Sequence, residues 1–139
     1  MGLFNNLFKK GPTIELQDPA FGLINYDQGS WTFLPKRPED GFMIGVDAPE
    51  AGPSEQQRVF FSRVRSELAE YERRARDYMT TRVDQSVTVS RLATYSVEID
   101  DDDATRREEF VLELSDEDAF VVHRVSFREG QPFEYGFDD

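Results

Sequence analysis

The sequence contains no cysteine, only one histidine and no apolar run as long as a membrane span. Without cysteine the chain can form no disulfide, no thiol nucleophile and no cysteine-ligated zinc or iron–sulfur site. The amino terminus also lacks the continuous apolar stretch and small-residue cleavage site of a secretory signal. We therefore expect a cytoplasmic protein without a transmembrane segment.

Basic residues are also scarce, because 16 Lys and Arg stand against 28 Asp and Glu, for a formal net charge of −12. Such a chain repels nucleic-acid phosphates, so we expect no direct nucleic-acid ligand. It should instead attract a protein with a basic surface, or cations. Surplus charge also keeps proteins soluble, and that role alone could account for it.

The chain does have aromatic residues, at 13% of its 139 residues, although hydrophobic residues as a whole reach only 38%. Aromatic side chains bury large areas, so a packed core is feasible. The length is that of one domain. We predict a single α+β domain over residues 13–139, preceded by a short amphipathic helix at residues 1–12.

The short N-terminal helix is predicted because four apolar residues recur at helical spacing: Leu3, Phe4, Leu7 and Phe8. Gly11-Pro12 then ends the element. A helix of this length is marginal alone, so it should dock on its own domain, on a partner or on a membrane surface. These four residues are candidate docking residues, and a peripheral adaptor is one alternative function.

Residues 13–47 are predicted as an antiparallel β-meander, because apolar segments alternate there with turn formers. Asp27-Gln28-Gly29 offers a glycine that can take a positive φ, as a tight hairpin with a bulge requires. Residues 92–137 return to the same periodicity and are predicted as a second antiparallel β-meander. The sequence leaves open whether the strands form one sheet or two.

One long amphipathic helix is predicted between the meanders, from about residue 54 to residue 83. Ser54 and Gln57 fit the capping box, in which each side chain satisfies the backbone N–H of the other residue. A single apolar stripe follows at steps of three or four: Phe60, Val64, Leu68, Tyr71, Ala75 and Tyr78. A helix of this length would measure roughly 40 Å, so one end should overhang or bend.

Two acidic runs lie in predicted turns, and we identify their members as candidate partner-binding residues: Asp100, Asp101, Asp102, Asp103, Asp116, Glu117 and Asp118. The EF-hand pattern of alternating ligands, central glycine and terminal glutamate is missing. A solvated turn or a protein-contact patch is therefore expected ahead of a metal site. The two runs can cluster only if the fold brings their loops together.

Charge is distributed unevenly along the chain. Residues 58–91 carry eight basic and five acidic side chains, a net charge of +3, whereas the rest carries −15. The two parts could complement each other within the molecule. Alternatively, the acidic part captures a basic partner, for which opposite charge would mainly speed association.

Catalytic side chains are scarce. The single histidine, His123, shares a strand face with Val125 and Phe127, and we expect it to be half-buried with a local hydrogen bond. A general base needs a nucleophile or an orienting carboxylate nearby, and no motif supplies one. Trp31, Phe33 and Tyr26, at strand spacing, could line a ligand pocket, but aromatic residues at this spacing are more often in the core, where we expect them. We identify no catalytic residue, metal ligand or cofactor; an enzyme using carboxylates or a divalent cation is a further alternative.

Two stretches carry a resemblance: residues 18–26, which read D-P-A-F-G-L-I-N-Y and run on to Trp31, and residues 127–132, which read F-R-E-G-Q-P. With the central helix and closing meander, they resemble small bacterial families of unknown function that open near D-P-x-F-G-x-L-x-Y…W. Some relatives are immunity proteins of polymorphic toxin systems. The chain departs from the pattern at residues 24–25 and 32–35. The resemblance implies a non-enzymatic bacterial protein and assigns no functional residue.

These observations favour a non-enzymatic, acidic protein-interaction domain. An immunity-type protein that blocks a basic toxin or nuclease is one form of it. The expected partner is a protein with a basic surface.

Overall fold

The computed structural model describes residues 14–36, 40–116 and 121–138. The predicted N-terminal helix lies outside these residues, and so do two members of the second acidic run. The candidate residues that fall outside are Leu3, Phe4, Leu7, Phe8, Glu117 and Asp118.

Strands form both ends of the described chain, and helices lie between them. The first group is β1 (Ile14–Asp18), β2 (Gly22–Asp27), β3 (Ser30–Phe33) and β4 (Met43–Asp47). The helices that follow are α1 (Glu55–Ser66), α2 (Leu68–Met79) and a 3-10 helix (Val89–Arg91). The second group is β5 (Ala93–Ile99), the short helix α3 (Asp102–Arg106), β6 (Glu109–Ser115), β7 (Val122–Arg128) and β8 (Gln131–Asp138).

All eight strands form one sheet in sequence order, from β1 at one edge to β8 at the other. Neighbouring strands are antiparallel except β4 and β5, which are parallel. A parallel pair cannot be joined by a hairpin and needs a crossover connection. Helices α1 and α2 provide that crossover.

The core lies between the helices and one face of the sheet. Phe110 on β6 and Phe127 on β7 stack with their ring centroids 5.0 Å apart. Tyr71 of α2 meets both rings edge-on, at 5.0 and 5.3 Å. Nearer β2, Phe21 stacks on Phe61 of α1 at 4.5 Å. Burying one such ring contributes roughly 2 kcal/mol, so aromatic side chains compensate for the modest hydrophobic content. The described helices leave the opposite face of the sheet uncovered.

Two local predictions rest on side-chain chemistry, and the structure shows both in detail. The capping box is confirmed: Ser54 Oγ accepts from Gln57 N at 3.1 Å, and Gln57 Oε1 accepts from Ser54 N at 3.0 Å. The β2–β3 hairpin is present but has no bulge, because Asp27 pairs directly with Ser30. Gln28 and Gly29 both have positive φ, at 52° and 88°, which matches the twist of the strands they join.

The α+β prediction is confirmed, but the predicted arrangement is not. The described helices come after four strands. Both strand groups belong to one sheet, a point that the sequence left open. The single helix predicted over residues 54–83 is two helices, separated by Glu67 at φ −111° and ψ 20°. Hydrogen bonds continue through the break, from Glu67 N to Arg63 O and from Tyr71 N to Glu67 O, both at 3.1 Å. The helical segment therefore bends at Glu67 and ends at Met79.

The Asp100–Asp103 run is likewise not a plain turn. It begins the short helix α3, with Asp101 as the N-cap residue. Aspartate is favoured both in turns and at helix N-termini, and carboxylates in a first turn interact well with the helix dipole. The pattern of four aspartates therefore does not distinguish a turn from the start of a helix.

Candidate functional site: an acidic groove on the open face of the sheet

A groove of about 260 Å³ crosses β3, β4 and β5 on the face of the sheet that the helices leave uncovered. The strand register places Thr32, Gly45 and Glu98 side by side in one row, and Ser30 beside Asp47 in the next. Gly45 has no side chain, so the floor is low between its two neighbours. We call this surface the acidic groove; it is lined by Ser30, Thr32, Met43, Gly45, Asp47, Ser96, Glu98 and Asp100.

The parallel pairing of β4 and β5 brings the carboxylates at one end of the groove together. Asp47 ends β4 directly after Val46, and Asp100 follows β5 directly after Ile99. Val46 pairs with Ile99 in the sheet. Because parallel strands end at the same edge, both aspartates lie at the same end of the groove.

Gln57 of α1 fixes this junction from the core side. Gln57 is buried, with 2% of its surface exposed to solvent. Its Nε2 donates to the backbone oxygens of Asp47 at 2.8 Å and Asp100 at 2.9 Å. The capping-box bond from Ser54 satisfies its Oε1. One buried amide therefore joins the start of α1 to the ends of both parallel strands.

A carboxylate pair lies beside the groove, with one arginine as its cation. Arg124 Nη2 is 3.5 Å from Glu98 Oε2, and Arg124 Nε is 3.6 Å from Glu113 Oε2. Arg124 is also 3.9 Å from Asp138. Ser96, which is buried, donates its hydroxyl hydrogen to Glu113. One guanidinium is thus shared among three carboxylates.

That sharing leaves negative charge uncompensated. Burial raises the pKa of Glu98 above its ordinary value, and the neighbouring charge of Glu113 raises it further, against a lowering effect of Arg124. Burial also raises the pKa of Asp100, and the charges of Asp47 and Asp101 add to the effect. A cation bound beside these carboxylates would offset both the cost of burying their charge and the repulsion between them.

The first acidic run contributes one residue to the groove. Asp101 accepts a hydrogen bond from Ala104 N at 2.9 Å and caps α3. Asp102 accepts from Ser54 Oγ at 2.6 Å, and Asp103 pairs with Arg106. Only Asp100 lines the groove; the other three carboxylates bind groups of their own chain.

The structure does not bring the two acidic runs together. Asp116 follows β6 at the opposite end of the strands from Asp100, and Arg91 Nε lies 3.3 Å from its Oδ2. Seven residues of strand separate the two ends, which corresponds to roughly 20 Å. A binding surface that includes both runs would have to span that distance.

Sequence reasoning missed Asp47, Glu98 and Glu113. A usable signal was present for Asp47, because Val46-Asp47 and Ile99-Asp100 end two apolar strands on either side of a helical segment. A strand–helix–strand order favours a parallel pair, and that topology predicts that both aspartates meet at one edge. The positions of Glu98 and Glu113 depend on register across the sheet, which no local pattern reveals.

His123 and Trp31 have structural partners. His123 is 4% exposed, its Nδ1 lies 2.8 Å from Tyr135 Oη, and burial lowers its pKa. The local hydrogen bond predicted for it is present, but the ring is buried and not half-buried, because it shares the core face of β7 with Val125 and Phe127. Trp31 is buried as predicted and donates from Nε1 to Pro49 O at 2.8 Å. Over residues 14–36, 40–116 and 121–138, no group of three or more His, Asp or Glu side chains could hold a metal ion.

The D-P-A-F-G motif forms a turn. Asp18 is buried, and its Oδ2 accepts from Ala20 N at 2.9 Å and Phe21 N at 3.0 Å. Its Oδ1 accepts from Arg58 Nε at 2.7 Å. Phe21 enters the core, and Gly22 takes a positive φ of 78°. Each of these residues supports the fold.

Comparison with protein-family models, with curated proteins and with solved structures gives no match to this chain. In the part of the chain that the structure describes, the helices are too short or too polar to cross a membrane.

Proposed function

We propose that this chain is a non-enzymatic interaction domain that binds a protein with a basic surface, and that the acidic groove is the binding surface. The observation that supports it most is the position of three carboxylates, those of Asp47, Glu98 and Asp100, in one concave site with few nearby cations, where the pKa values of Glu98 and Asp100 are raised. A Lys or Arg side chain of a partner would relieve that repulsion and gain charge-assisted hydrogen bonds.

The lining of the groove suits such a side chain. Carboxylates of Asp47, Glu98 and Asp100 accept hydrogen bonds, and the hydroxyls of Ser30 and Thr32 can accept further ones. Gly45 leaves room for the aliphatic stem of the entering residue. Basic side chains combine an apolar stem with a charged head, so they fit a site with a low floor and a charged rim.

The distribution of charge over the molecule supports the same orientation. The segment that carries net positive charge, residues 58–91, forms α1, α2 and the 3-10 helix on one side of the sheet. The acidic strands face the other side. A basic partner is therefore steered toward the open face, which mainly raises the rate of association.

An immunity-type role, in which the partner is a basic toxin or nuclease, is the form of this proposal that the D-P-x-F-G resemblance supports. It also accords with a bacterial, cytoplasmic protein, as expected from the sequence. The geometry of the groove specifies the charge of the partner and leaves its identity to experiment.

Capture of partners from a lysate of the source cells tests the proposal. The chain is immobilised at low salt, bound proteins are identified by mass spectrometry, and the strongest one is purified for a direct measurement of its dissociation constant. We expect a basic protein that salt releases. The double variant Asp47→Asn/Asp100→Asn should weaken its binding roughly tenfold or more.

The matched control is Glu67→Gln/Asp77→Asn, which removes two negative charges at exposed positions of the helical segment, on the other side of the sheet from the groove. Asp77 pairs with Arg73 on the helix surface, where such a pair contributes little. Equal binding by both double variants, or no protein retained at low salt, would show that the groove is not a binding surface.

A further inference from the structure

The last strand, β8, is an edge strand whose outer side has no neighbour in the described part of the chain. It pairs with β7 along its inner side, from Arg128 with Gln131 to Val122 with Asp138. Its outer backbone N–H and C=O groups are therefore free to pair with another strand. At eight residues it is the longest strand in the sheet.

Two aromatic side chains lie along this edge, the partly buried Tyr135 and the exposed Phe137. Tyr135 pairs with Val125 and stacks on the ring of His123, with centroids 5.9 Å apart. The ring centroids of Tyr135 and Phe137 are 6.3 Å apart, and Phe137 is 60% exposed. Both project on the helix side of the sheet, and a ninth strand would cover them with its own apolar side chains.

The other side of β8 carries exposed carboxylates. Glu134 is exposed, and the Asp138 side chain is 73% exposed. These charges decide which strand fits. An antiparallel second copy centred on Gly136 would place Glu134 opposite Asp138, and like charges in direct opposition are destabilising. The net charge of −12 adds to the repulsion between copies.

We propose that β8 accepts a ninth, antiparallel strand from a partner protein, and that this strand alternates basic with apolar side chains. Basic residues lie opposite Glu134 and Asp138, and apolar residues lie opposite Tyr135 and Phe137. The backbone hydrogen bonds supply affinity, while the alternating side chains supply specificity. This surface lies at the edge of the sheet and does not depend on the acidic groove.

A peptide with the order Lys-Val-Thr-Val-Lys, capped at both ends, is the probe. Hydrogen–deuterium exchange of the full chain, followed by NMR at low salt, should show slower exchange of β8 amides in its presence. A peptide with Glu in place of both Lys residues should bind at least tenfold more weakly. Replacing the central Thr with Pro, which interrupts strand pairing, should also weaken binding.

The variant Glu134→Lys should weaken binding of the Lys-Val-Thr-Val-Lys peptide roughly tenfold. Its matched control is Glu15→Lys, which makes the same change at an exposed position on the opposite edge strand, β1, and should leave binding unchanged. The groove variant Asp47→Asn/Asp100→Asn should also bind the peptide normally, so this proposal and that of the groove can fail separately. No slowing of exchange in β8 at millimolar peptide, or equal weakening by Glu134→Lys and Glu15→Lys, would overturn the proposal.

Discussion

The buried carboxylate of Asp18 binds the turn after β1 and Arg58 of α1 at the same time. Burial opposes its ionisation, but the hydrogen bond from Arg58 and those from the N–H groups of Phe21 and Ala20 outweigh that effect and lower its pKa. Because its pKa in the folded state lies below the unfolded value of 3.8, Asp18 stabilises the fold above that value. The contribution is lost as pH falls through the folded pKa.

We predict that Asp18→Asn lowers the free energy of unfolding by about 2 kcal/mol at pH 7, the scale of a buried hydrogen bond to a charged group. The deficit should shrink at strongly acid pH, where the native carboxyl is protonated as well. Urea unfolding at neutral and acid pH measures both values, with the exposed Glu15→Gln as the control. A deficit that is the same at both pH values would contradict the assigned role.

For Glu98 we predict the opposite effect of ionisation on stability. Its pKa is raised above the ordinary value of 4.5, so the ionised carboxylate destabilises the fold fully at pH values above the folded pKa. The penalty shrinks as pH falls through that pKa and is absent below the ordinary value. Glu98→Gln should therefore raise stability at pH 7. The gain should be a few tenths of a kcal/mol, since the side chain is 40% exposed and solvent screens the repulsion.

Chemical denaturation at pH 7 and near pH 4 checks this second variant. The stabilising effect should be present at the higher pH and absent at the lower one. Lower stability of Glu98→Gln at pH 7 would mean that its ion pair with Arg124 outweighs the repulsion from Glu113.

At the scale of elements, the junction of α1 with β4 and β5 depends on the buried amide of Gln57. We predict that Gln57→Leu lowers the free energy of unfolding by about 2 kcal/mol, because the carbonyls of Asp47 and Asp100 lose their donor. Gln56→Leu is the control: that side chain is exposed, and water can replace its bond to Asp102 O. Equal effects of the two substitutions would show that the junction does not need the amide.

The floor of the groove allows a test that leaves the fold intact. Gly45 lies in a regular strand, and an added Cβ would meet Glu98 Cγ at 3.8 Å, an ordinary contact. We predict that Gly45→Thr leaves stability unchanged or raises it by up to about 1 kcal/mol, since threonine favours strands. Its side chain would also fill the groove and weaken partner binding. Calorimetry and a binding titration measure the two effects; unaffected binding would place the partner elsewhere.

Local patterns in the sequence predict some elements well. The capping box at Ser54 and Gln57 and the turn at Gln28-Gly29 follow from side-chain and backbone chemistry within four residues. The bend at Glu67 and the helix after Asp101 do not follow from local chemistry. The apolar stripe continues through Glu67, and aspartate suits a turn as well as a helix N-terminus, so tertiary packing decides both.

The candidate site could be predicted only in part, for a related reason. The sequence identifies Asp100, but its partners come from distant positions through the parallel β4–β5 pair and the register of β5 with β6. Asp47 and Glu113 are 66 residues apart in the sequence, and only the sheet brings them to one surface. Acidic composition predicts the sign of the surface charge, whereas its location depends on topology.

At the scale of the whole molecule, charge serves two purposes. Arginines of the helical segment pair with carboxylates of the surrounding chain, as Arg58 does with Asp18 and Arg63 with Glu108. Complementarity within the molecule, one of the two explanations for the uneven charge, is therefore real at the contact between layers. The open face receives fewer cations, and the surplus negative charge concentrates there.

The central claim is that the carboxylates of the groove are not neutralised from within the chain. An NMR titration that follows the side-chain carboxyl carbons of Glu98 and Asp100 against pH tests it without knowledge of any partner. We predict that both groups titrate above their ordinary values of 4.5 and 3.8. Titration at or below those values would show that the chain already compensates this charge and would remove the physical basis for a basic partner.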